Sequence, residues 1–246
     1  ALAGMAGALN LGELGTVFYD NVVSLGVLGA LLIVARSWRA FAAGQGAGWI
    51  GPALAAGLVL GLTFALKQTT ALYLVAAGLC LPFFPAPAAR RAALVAVCGL
   101  GAVAGVALGG GWWMWTLWQH YGNPLFPFFN DLFRSPWALP ASYRDPGFLP
   151  DAFGIGEALR FPLRVALDSR LGAEVGYTDL RLACAYALGL LALPLLVWRK
   201  LRARAVAAGF MRPAPALGLL LFAAFALALW LVLFRISRYL LALELL

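Results

Sequence analysis

Long apolar runs with almost no charged residues inside them dominate this chain, and they constrain its fold more than any other feature. Hydrophobic residues make up 63% of the 246 residues and charged residues only 11%, whereas a soluble domain carries roughly a quarter charged residues. The charged side chains are too few to cover a water-facing surface. A helix needs about 20 apolar residues to cross a bilayer. The sequence therefore predicts an all-α, polytopic bundle of transmembrane helices.

The apolar runs define the predicted spans. The clear ones lie at residues 17–36, 92–118, 179–198 and 214–234. A longer run, 49–84, exceeds one crossing and holds a polar KQTT sequence in its middle, so we predict two short helices joined by a turn at Lys67. A last span begins near Tyr239. The chain begins without methionine and ends in an apolar run, so we expect residues 1–246 to be part of a longer, single transmembrane domain.

Basic residues decide the predicted orientation, because Arg and Lys in short loops favour the cytoplasm. The predicted loops 36–48, 85–91 and 199–213 carry basic residues and no acid. The acids then lie outside or near the outer ends of spans, provided that 49–84 crosses twice. We therefore predict a multi-pass membrane protein with one long outer loop, 119–178. The net charge of +8 reflects this topology, and no nucleic-acid partner is predicted.

The long loop contains an amphipathic segment at residues 155–171. Its polar residues are Glu157, Arg160, Arg164 and Asp168. Their steps of three, four and four place them on one stripe of a helix. We interpret the segment as an interfacial helix that lies on the outer membrane surface. Pro162 must kink this helix or mark a start just before it.

Two acids, Glu13 and Asp20, lie in the sequence NLGELGTVFYDN at the predicted outer boundary of the membrane. Carboxylates near lipid are costly unless they are paired or used, so both are secondary candidates for catalytic residues. Interface solvation and helix capping are the alternative, since Asp20 near a helix N-terminus gains from the helix dipole.

Three cationic side chains are predicted at the same face. Lys67 lies among apolar runs at the tip of the predicted hairpin, where it could bind an anion such as a lipid phosphate or extend to the interface. Arg235 and Arg238 are three residues apart, so a continuing helix would bring both to one side. Guanidinium groups bind phosphate oxygens in a bidentate manner, which suits a polyprenyl-phosphate headgroup. Anchoring to anionic lipid headgroups is the alternative.

A tryptophan-rich stretch closes the span 92–118 and predicts an aromatic belt at the outer interface. His120 follows this stretch and is the only histidine of the chain. It could act as a general base or make a simple polar contact. The cysteines lie singly in apolar runs, and no metal site, disulfide framework or nucleotide-binding motif is predicted.

The segment YGNPLFPFFN, residues 121–130, follows the belt. Its two prolines stiffen it and disfavour helix at the preceding residues. Asn123 and Asn130 could cap turns or hydrogen-bond sugar hydroxyls. We predict that this segment forms a wall of a substrate cleft and takes no part in the chemistry.

Several motifs together resemble membrane-embedded glycosyltransferases of the GT-C superfamily. They are ELGTVFYDN before a span, GLTFALKQTT in the hairpin and RYL after a later span. YGNPLFPFFN followed by FRSP looks like a segment of bacterial polytopic proteins grouped with family 87, the polyprenyl-phosphate-mannose-dependent transferases. The resemblance covers most of the chain.

The resemblance implies a protein of a bacterial inner membrane whose long loop, 119–178, lies in the periplasm. It also implies transfer of a sugar from a polyprenyl-phosphate donor at the periplasmic face of that membrane, and we predict no definite cofactor besides this donor. In that superfamily a carboxylate of the first outer loop is the base, and this loop would precede residue 1, so we expect the base upstream. Glu13 and Asp20 would then orient the acceptor, a metal or an arginine. Arg235, Arg238 and Tyr239 match the R-Y position of the family, which lies near the donor phosphate.

The sequence therefore predicts a membrane glycosyltransferase whose partners are membrane lipids and a lipid-linked sugar. Its predicted substrate-binding residues are Arg235, Arg238, Tyr239, Lys67, His120 and Asn123. A polyprenyl-linked glycan ligase or polymerase is one alternative, and it would require His120. A non-catalytic accessory subunit of a larger membrane complex is the other.

Overall fold

The computed structural model describes residues 6–43, 46–141, 147–148, 154–173, 176–206 and 215–246. Within these ranges the regular structure is entirely helical, which confirms the predicted all-α class. The α-helices are α1 (Ala8–Gly12), α2 (Asp20–Arg36), α3 (Trp38–Ala42), α4 (Ile50–Leu66), α5 (Ala71–Cys80), α6 (Ala88–Tyr121), α7 (Asn130–Phe133), α8 (Ile155–Leu167), α9 (Leu180–Val206), α10 (Pro215–Leu233) and α11 (Leu241–Glu244).

Two of the described helices are long and apolar enough to cross a membrane. They are α6, with 34 residues, and α10, with 18 residues over Ala216–Leu233. At about 1.5 Å per residue α6 is about 51 Å long, which exceeds the hydrocarbon core of about 30 Å. By length and composition alone, these two helices support association with a membrane. The predicted number of crossings stays a prediction.

The apolar run 49–84 divides at Lys67, as predicted. Lys67 leaves the helical conformation with φ −149° and ψ 110°, and a short 3-10 turn precedes α5. Phe84, which follows α5, packs with Trp49 and Ala53 at the start of α4. The two helices therefore run antiparallel, and the turn at Lys67 lies at the far end of the hairpin.

Helices α4 and α6 cross at glycines. A Cβ atom on Gly61 would lie 2.1 Å from the backbone oxygen of Ala102, and one on Gly101 would lie 2.2 Å from that of Leu54. The glycines in this close contact are Gly57, Gly61, Gly101 and Gly105. Small residues four positions apart let two backbones approach, as in helix pairs that associate within membranes.

A second core joins the hairpin to the end of the chain. Leu72 and Tyr73 of α5 pack with Phe222 of α10, and Val27 of α2 and Ala242 of α11 complete this buried cluster. Helices α2, α5, α10 and α11 therefore surround one apolar core beside the α4–α6 pair.

The two ends of the bundle differ in chemistry. At one end, Arg90 donates from Nη2 to the backbone oxygen of Gly46 (3.2 Å) and Arg91 donates from Nη1 to that of Pro82 (3.1 Å). We call this the basic end. Helix α2 begins at the opposite end with Asp20, and we call that end the acidic end. The hairpin turn at Lys67 lies there too.

The predicted long loop, 119–178, begins three residues later than expected, and its end agrees closely with the prediction. Helix α6 continues to Tyr121 and α9 begins at Leu180. The predicted basic loop 199–213 is also corrected, because α9 continues through Val206; residues 207–213 lie outside the described ranges.

The amphipathic helix α8 covers Ile155–Leu167, with Pro162 inside it, and ends before residue 171. It ends there because Asp168 is extended (φ −139°) and its Oδ1 accepts a hydrogen bond from the backbone N–H of Arg170. Phe161 and Val165 pack against α10. One face of α8 is therefore covered by the bundle, and its position on the outer membrane surface stays a prediction.

Candidate functional site

A buried ion pair joins two sequence-predicted candidates at the acidic end. Lys67 donates from Nζ to Asp20 Oδ1 at 2.5 Å, and the two side chains are 14% and 5% exposed. Asp20 is the first residue of α2 and Lys67 directly follows α4. Buried charges are tolerated when they are paired, and removal of one partner leaves the other uncompensated. The pair therefore ties the start of α2 to the hairpin turn.

Two tyrosine rings enclose the Lys67 ammonium group. Its Nζ lies 4.9 Å from the ring centroid of Tyr19 and 5.3 Å from that of Tyr239. Both distances suit cation–π attraction. Tyr19 is held in place because its hydroxyl donates to the backbone oxygen of Leu66 at 3.2 Å.

Arg238 adds a second cation beside the same tyrosine. Its guanidinium carbon lies 4.3 Å from the ring centroid of Phe18 and 5.4 Å from that of Tyr239. The hydroxyl of Tyr73 donates to the backbone oxygen of Tyr239 at 2.6 Å. The ring of Tyr239 therefore lies near both cations. We call Asp20, Lys67, Arg238 and Tyr239 the acidic-end cluster.

Glu13 lies against this cluster. Its Oε2 accepts a hydrogen bond from the backbone N–H of Asn21, the residue after Asp20, at 3.2 Å. Burial, and next the neighbouring Asp20 carboxylate, raise the pKa of Glu13 to about 7. Below that pH Glu13 is neutral, which removes one negative charge from the site.

Arg235 is separated from Arg238, so the prediction of a continuing helix is wrong. Helix α10 ends at Leu233, and Arg235 adopts a left-handed backbone with φ 56°. Its guanidinium carbon lies 5.6 Å from the ring centroid of Phe161, and its Nε donates to the backbone oxygen of Leu231 at 2.8 Å. Arg235 thus faces α8, whereas Arg238 faces the cluster.

Tertiary hydrogen bonds hold this break in the helix. The indole Nε1 of Trp230 donates to the backbone oxygen of Ile236 at 2.7 Å. The backbone N–H of Ser237 donates to the backbone oxygen of Gly172 at 2.6 Å. The indole of Trp230 and the backbone oxygen of Gly172 therefore pair with backbone groups that a further turn of α10 would otherwise pair.

His120 and Asn123 make their contacts on α6 and the segment after it. His120 is exposed, and its Nδ1 lies 2.9 Å from the backbone oxygen of Thr116. Asn123 is fully buried; it donates from Nδ2 to Phe128 O and accepts at Oδ1 from the N–H of Leu125, both at 2.9 Å. The structure thus shows the turn-capping role of Asn123, and its contact with a sugar stays a prediction.

Asn130 organises the rest of the segment. Its Oδ1 accepts from the N–H of Ser135 at 2.9 Å, and its Nδ2 lies within 3.0 Å of the backbone oxygens of Ser135, Ala138 and Leu139. The ring of Tyr121 stacks on that of Phe126 with centroids 4.1 Å apart. The segment is therefore a folded cap on the end of α6 that is held by its two asparagines.

A small polar cavity lies beside the cluster. It is lined by Asp20, Ser24, Thr70, Arg238 and Tyr239, among others, and offers about 10 Å³ of water-accessible space. This is close to the minimum of about 10–15 Å³ that one water molecule needs. The cavity therefore has room for about one water molecule and for no larger group.

A much larger apolar cavity of about 440 Å³ lies between α2, α4, α5, α6 and α10. Leu31 of α2 lines it, one helical turn from Val27 of the small cavity, and Leu74 of α5 lines it next to Tyr73. From there it extends to Trp38 and Phe84 near the basic end. A polar cluster and a long apolar cavity thus follow one another along the bundle.

Sequence analysis missed a second charged group at the acidic end. Glu244 accepts at Oε2 from the backbone N–H of Asn10 (3.0 Å), and Asp179 accepts at Oδ2 from that of Ala8 (3.3 Å). Arg181 bridges the two acids, with Nη2 at 2.5 Å from Asp179 Oδ2 and 3.6 Å from Glu244 Oε1. We call Asp179, Arg181 and Glu244 the clasp, because it holds α1 against the bundle. A lone acid in the apolar ending YLLALELL was the available signal.

Among the residues that the structure describes, no group of three His, Cys, Asp or Glu side chains could hold a metal ion. No protein-family model, curated protein or solved structure matches the chain. The chemical interpretation of the site therefore depends on its own geometry.

Proposed function

We propose that this protein is a multi-pass membrane glycosyltransferase that takes a sugar from a polyprenyl-phosphate donor at the periplasmic face of a bacterial inner membrane. The observation that carries the proposal is that two cations, Lys67 and Arg238, lie at the acidic end of a bundle whose helices also enclose an apolar cavity of about 440 Å³. A lipid phosphate has this same division into a charged head and a long apolar chain.

The charge balance of the site favours an anion. With Glu13 neutral below about pH 7, Lys67 and Arg238 outweigh the single charge of Asp20. Arginine binds phosphate oxygens in a bidentate manner. As the sugar leaves the donor, negative charge grows on the phosphate, and fixed cations in a water-poor site stabilise it. Arg238 and Lys67 would supply this stabilisation.

The apolar cavity suits the hydrocarbon part of the donor. Its lining side chains are almost entirely aliphatic or aromatic, and each buried CH₂ group contributes about 0.8 kcal/mol. The apolar cavity begins at Leu31, one helical turn from Val27 of the small polar cavity and eleven residues from Asp20. In this proposal the hydrocarbon chain of the donor occupies the apolar cavity and its phosphate contacts the cluster.

The charges of the two ends support the proposed orientation. The basic end carries Arg90 and Arg91, and positive residues favour the cytoplasm. The acidic end then faces the periplasm. The exposed tryptophans of α6 fit an interfacial belt on that side; they are Trp112, Trp113, Trp115 and Trp118.

Replacement of Arg238 by glutamine is expected to lower sugar transfer about 10- to 100-fold, since a hydrogen bond to a charged group contributes about 1.5–3 kcal/mol. Transfer is measured in membranes that contain the full-length protein and a labelled polyprenyl-phosphate sugar. Arg160→Gln is the matched control, because Arg160 is exposed on α8 away from the cluster. It should transfer sugar as the wild type does.

Unchanged turnover in a folded Arg238→Gln protein would show that Arg238 does not bind the donor phosphate.

The variant His120→Ala distinguishes the proposed transferase from a polyprenyl-linked glycan ligase or polymerase. His120 contacts only its own helix and neighbouring Tyr121 in the described structure, so we expect nearly full activity. Complete loss in this variant would favour a polyprenyl-linked glycan ligase or polymerase.

A further inference from the structure

Helix α8 has two apolar faces, and the bundle covers only one of them. The residues of the covered face are Phe161, Pro162, Val165 and Ala166. The residues of the other face are Ile155, Leu159, Leu163 and Leu167, whose side chains are 83%, 55%, 40% and 65% exposed. Because these four residues recur at every fourth position, they form one continuous stripe along the helix. We call them the exposed stripe.

The charged residues of α8 form a third face. They are Glu157, Arg160 and Arg164, and all three are exposed. At about 100° per residue, this charged face is centred about 110° from the exposed stripe and about 140° from the covered face. Nη1 of Arg164 lies 3.9 Å from Oε1 of Glu157, and Arg160 adds a second positive charge. The charged face of α8 is therefore basic, and it lies beside the exposed stripe.

The contacts of α8 place it at the end of a candidate membrane-spanning helix. The ring centroids of Phe161 and Trp230 are 5.7 Å apart, and Trp230 lies in the last turn of α10, which ends at Leu233. The hydroxyl of Tyr186 on α9 also donates to the backbone oxygen of Leu159 at 3.0 Å. A helix held at the end of a span lies where the hydrocarbon core of a bilayer meets the headgroups.

We infer that α8 lies in the lipid surface at the acidic end, with its exposed stripe among acyl chains and with Arg160 and Arg164 against the headgroups of anionic phospholipids. Helices that combine an apolar face with a basic polar face bind membranes in this manner. Each arginine near an anionic surface strengthens binding about fivefold. This arrangement goes beyond the proposed sugar transfer and does not depend on it.

Two features of the structure favour lipid over a protein partner on this face. The turn of α10 that contacts α8 also exposes Val232 and Leu233, and lipid is the solvent of such a turn in a helix that crosses a membrane. A lipid leaflet presents acyl chains and charged headgroups in adjacent layers. Helix α8 presents its exposed stripe and its arginines side by side, which matches those two layers.

The depth of the exposed stripe tests the first part of the inference. A nitroxide label is attached to Leu159→Cys or Leu163→Cys in full-length protein whose native cysteines are replaced by alanine. The protein is placed in vesicles of equal parts phosphatidylcholine and phosphatidylglycerol. Dissolved oxygen should relax both labels, and a water-soluble nickel complex should not reach them. Glu157→Cys is the matched control on the charged face of α8, and its label should show the reverse pattern.

The charge of the headgroups tests the second part. A fluorophore on Leu159→Cys is quenched by brominated phosphatidylglycerol or by brominated phosphatidylcholine, which gives the relative binding constant of the two lipids beside α8. Phosphatidylglycerol should be preferred at least about fivefold. The double variant Arg160→Gln/Arg164→Gln should lose this preference. Arg160→Lys/Arg164→Lys retains both charges, so it should keep most of it.

Four results would overturn the inference. If the nickel complex reaches the labels at positions 159 and 163 as readily as the label at 157, the exposed stripe faces water. If neither oxygen nor nickel reaches them, a second copy of the chain or another protein covers the stripe. Equal quenching by the two lipids would exclude recognition of anionic headgroups. An unchanged preference in the double glutamine variant would assign that recognition to other cations.

Discussion

Replacement of Gly101 by leucine should prevent the α4–α6 pair from forming. A Cβ atom at this position would already lie 2.2 Å from the backbone oxygen of Leu54, and no rotation of a side chain can relieve a contact with backbone. The two helices must therefore separate, which opens voids along the whole crossing. Overpacking alone costs about 1–3 kcal/mol, so we expect destabilisation by at least about 3 kcal/mol. Thermal unfolding and the yield of monodisperse protein in detergent measure it.

Gly99→Leu is the control for this experiment. Gly99 lies on the same helix but is exposed, and a Cβ atom there meets nothing within 4 Å. Its substitution should change the unfolding temperature little. Equal stability of the two variants would mean that α4 and α6 do not cross at their glycines.

Loss of either partner of the ion pair should be the next largest effect. Asp20→Asn leaves the buried ammonium group of Lys67 without a carboxylate partner. Lys67→Met leaves the buried carboxylate of Asp20 without a cation. Removal of one member of a buried pair costs about 3–5 kcal/mol. The double variant Asp20→Asn/Lys67→Met contains neither charge, so it should be more stable than the sum of the single losses predicts. Chemical unfolding of all four proteins gives the coupling energy.

Asp131→Asn is the matched control, because Asp131 is an exposed acid on α7. It should change stability by less than about 0.5 kcal/mol. Additive losses in the double variant would show that Asp20 and Lys67 do not interact. The double variant should still transfer sugar more slowly than the wild type, because one of the two cations beside Tyr239, Lys67, is gone.

The sequence was enough to predict that the apolar run 49–84 divides into two helices, but not which residues distant in the sequence come into contact. The division at Lys67 was predictable, because a polar KQTT sequence interrupts an apolar run that is too long for one helix. The break at Arg235 was not, because it depends on a hydrogen bond from Ser237 to Gly172, far away in the sequence. Local spacing favoured a continuing helix through Arg238, and the tertiary contact overrode it.

The same reason limits the prediction of the site. Asp20 and Lys67 were recognisable singly, since a charge beside apolar runs needs a partner or a use. Their direct contact joins residues 47 positions apart, which no spacing rule covers. The clasp was missed because Glu244 meets Asn10 from the opposite end of the chain. Asn130 was predictable as a turn residue, whereas its bonds to three backbone oxygens depend on the fold of the cap.

The central claim is that the acidic-end cluster and the apolar cavity together bind a lipid phosphate. Its most direct measurement compares the dissociation constants of purified full-length protein for a polyprenyl phosphate and for the corresponding uncharged alcohol. Recognition of the phosphate group should make the polyprenyl phosphate bind at least about tenfold more tightly than the alcohol. This difference corresponds to about 1.4 kcal/mol of binding free energy. Arg238→Gln should remove most of that difference and leave binding of the alcohol unchanged. Equal affinity of the wild-type protein for the two lipids would contradict the account.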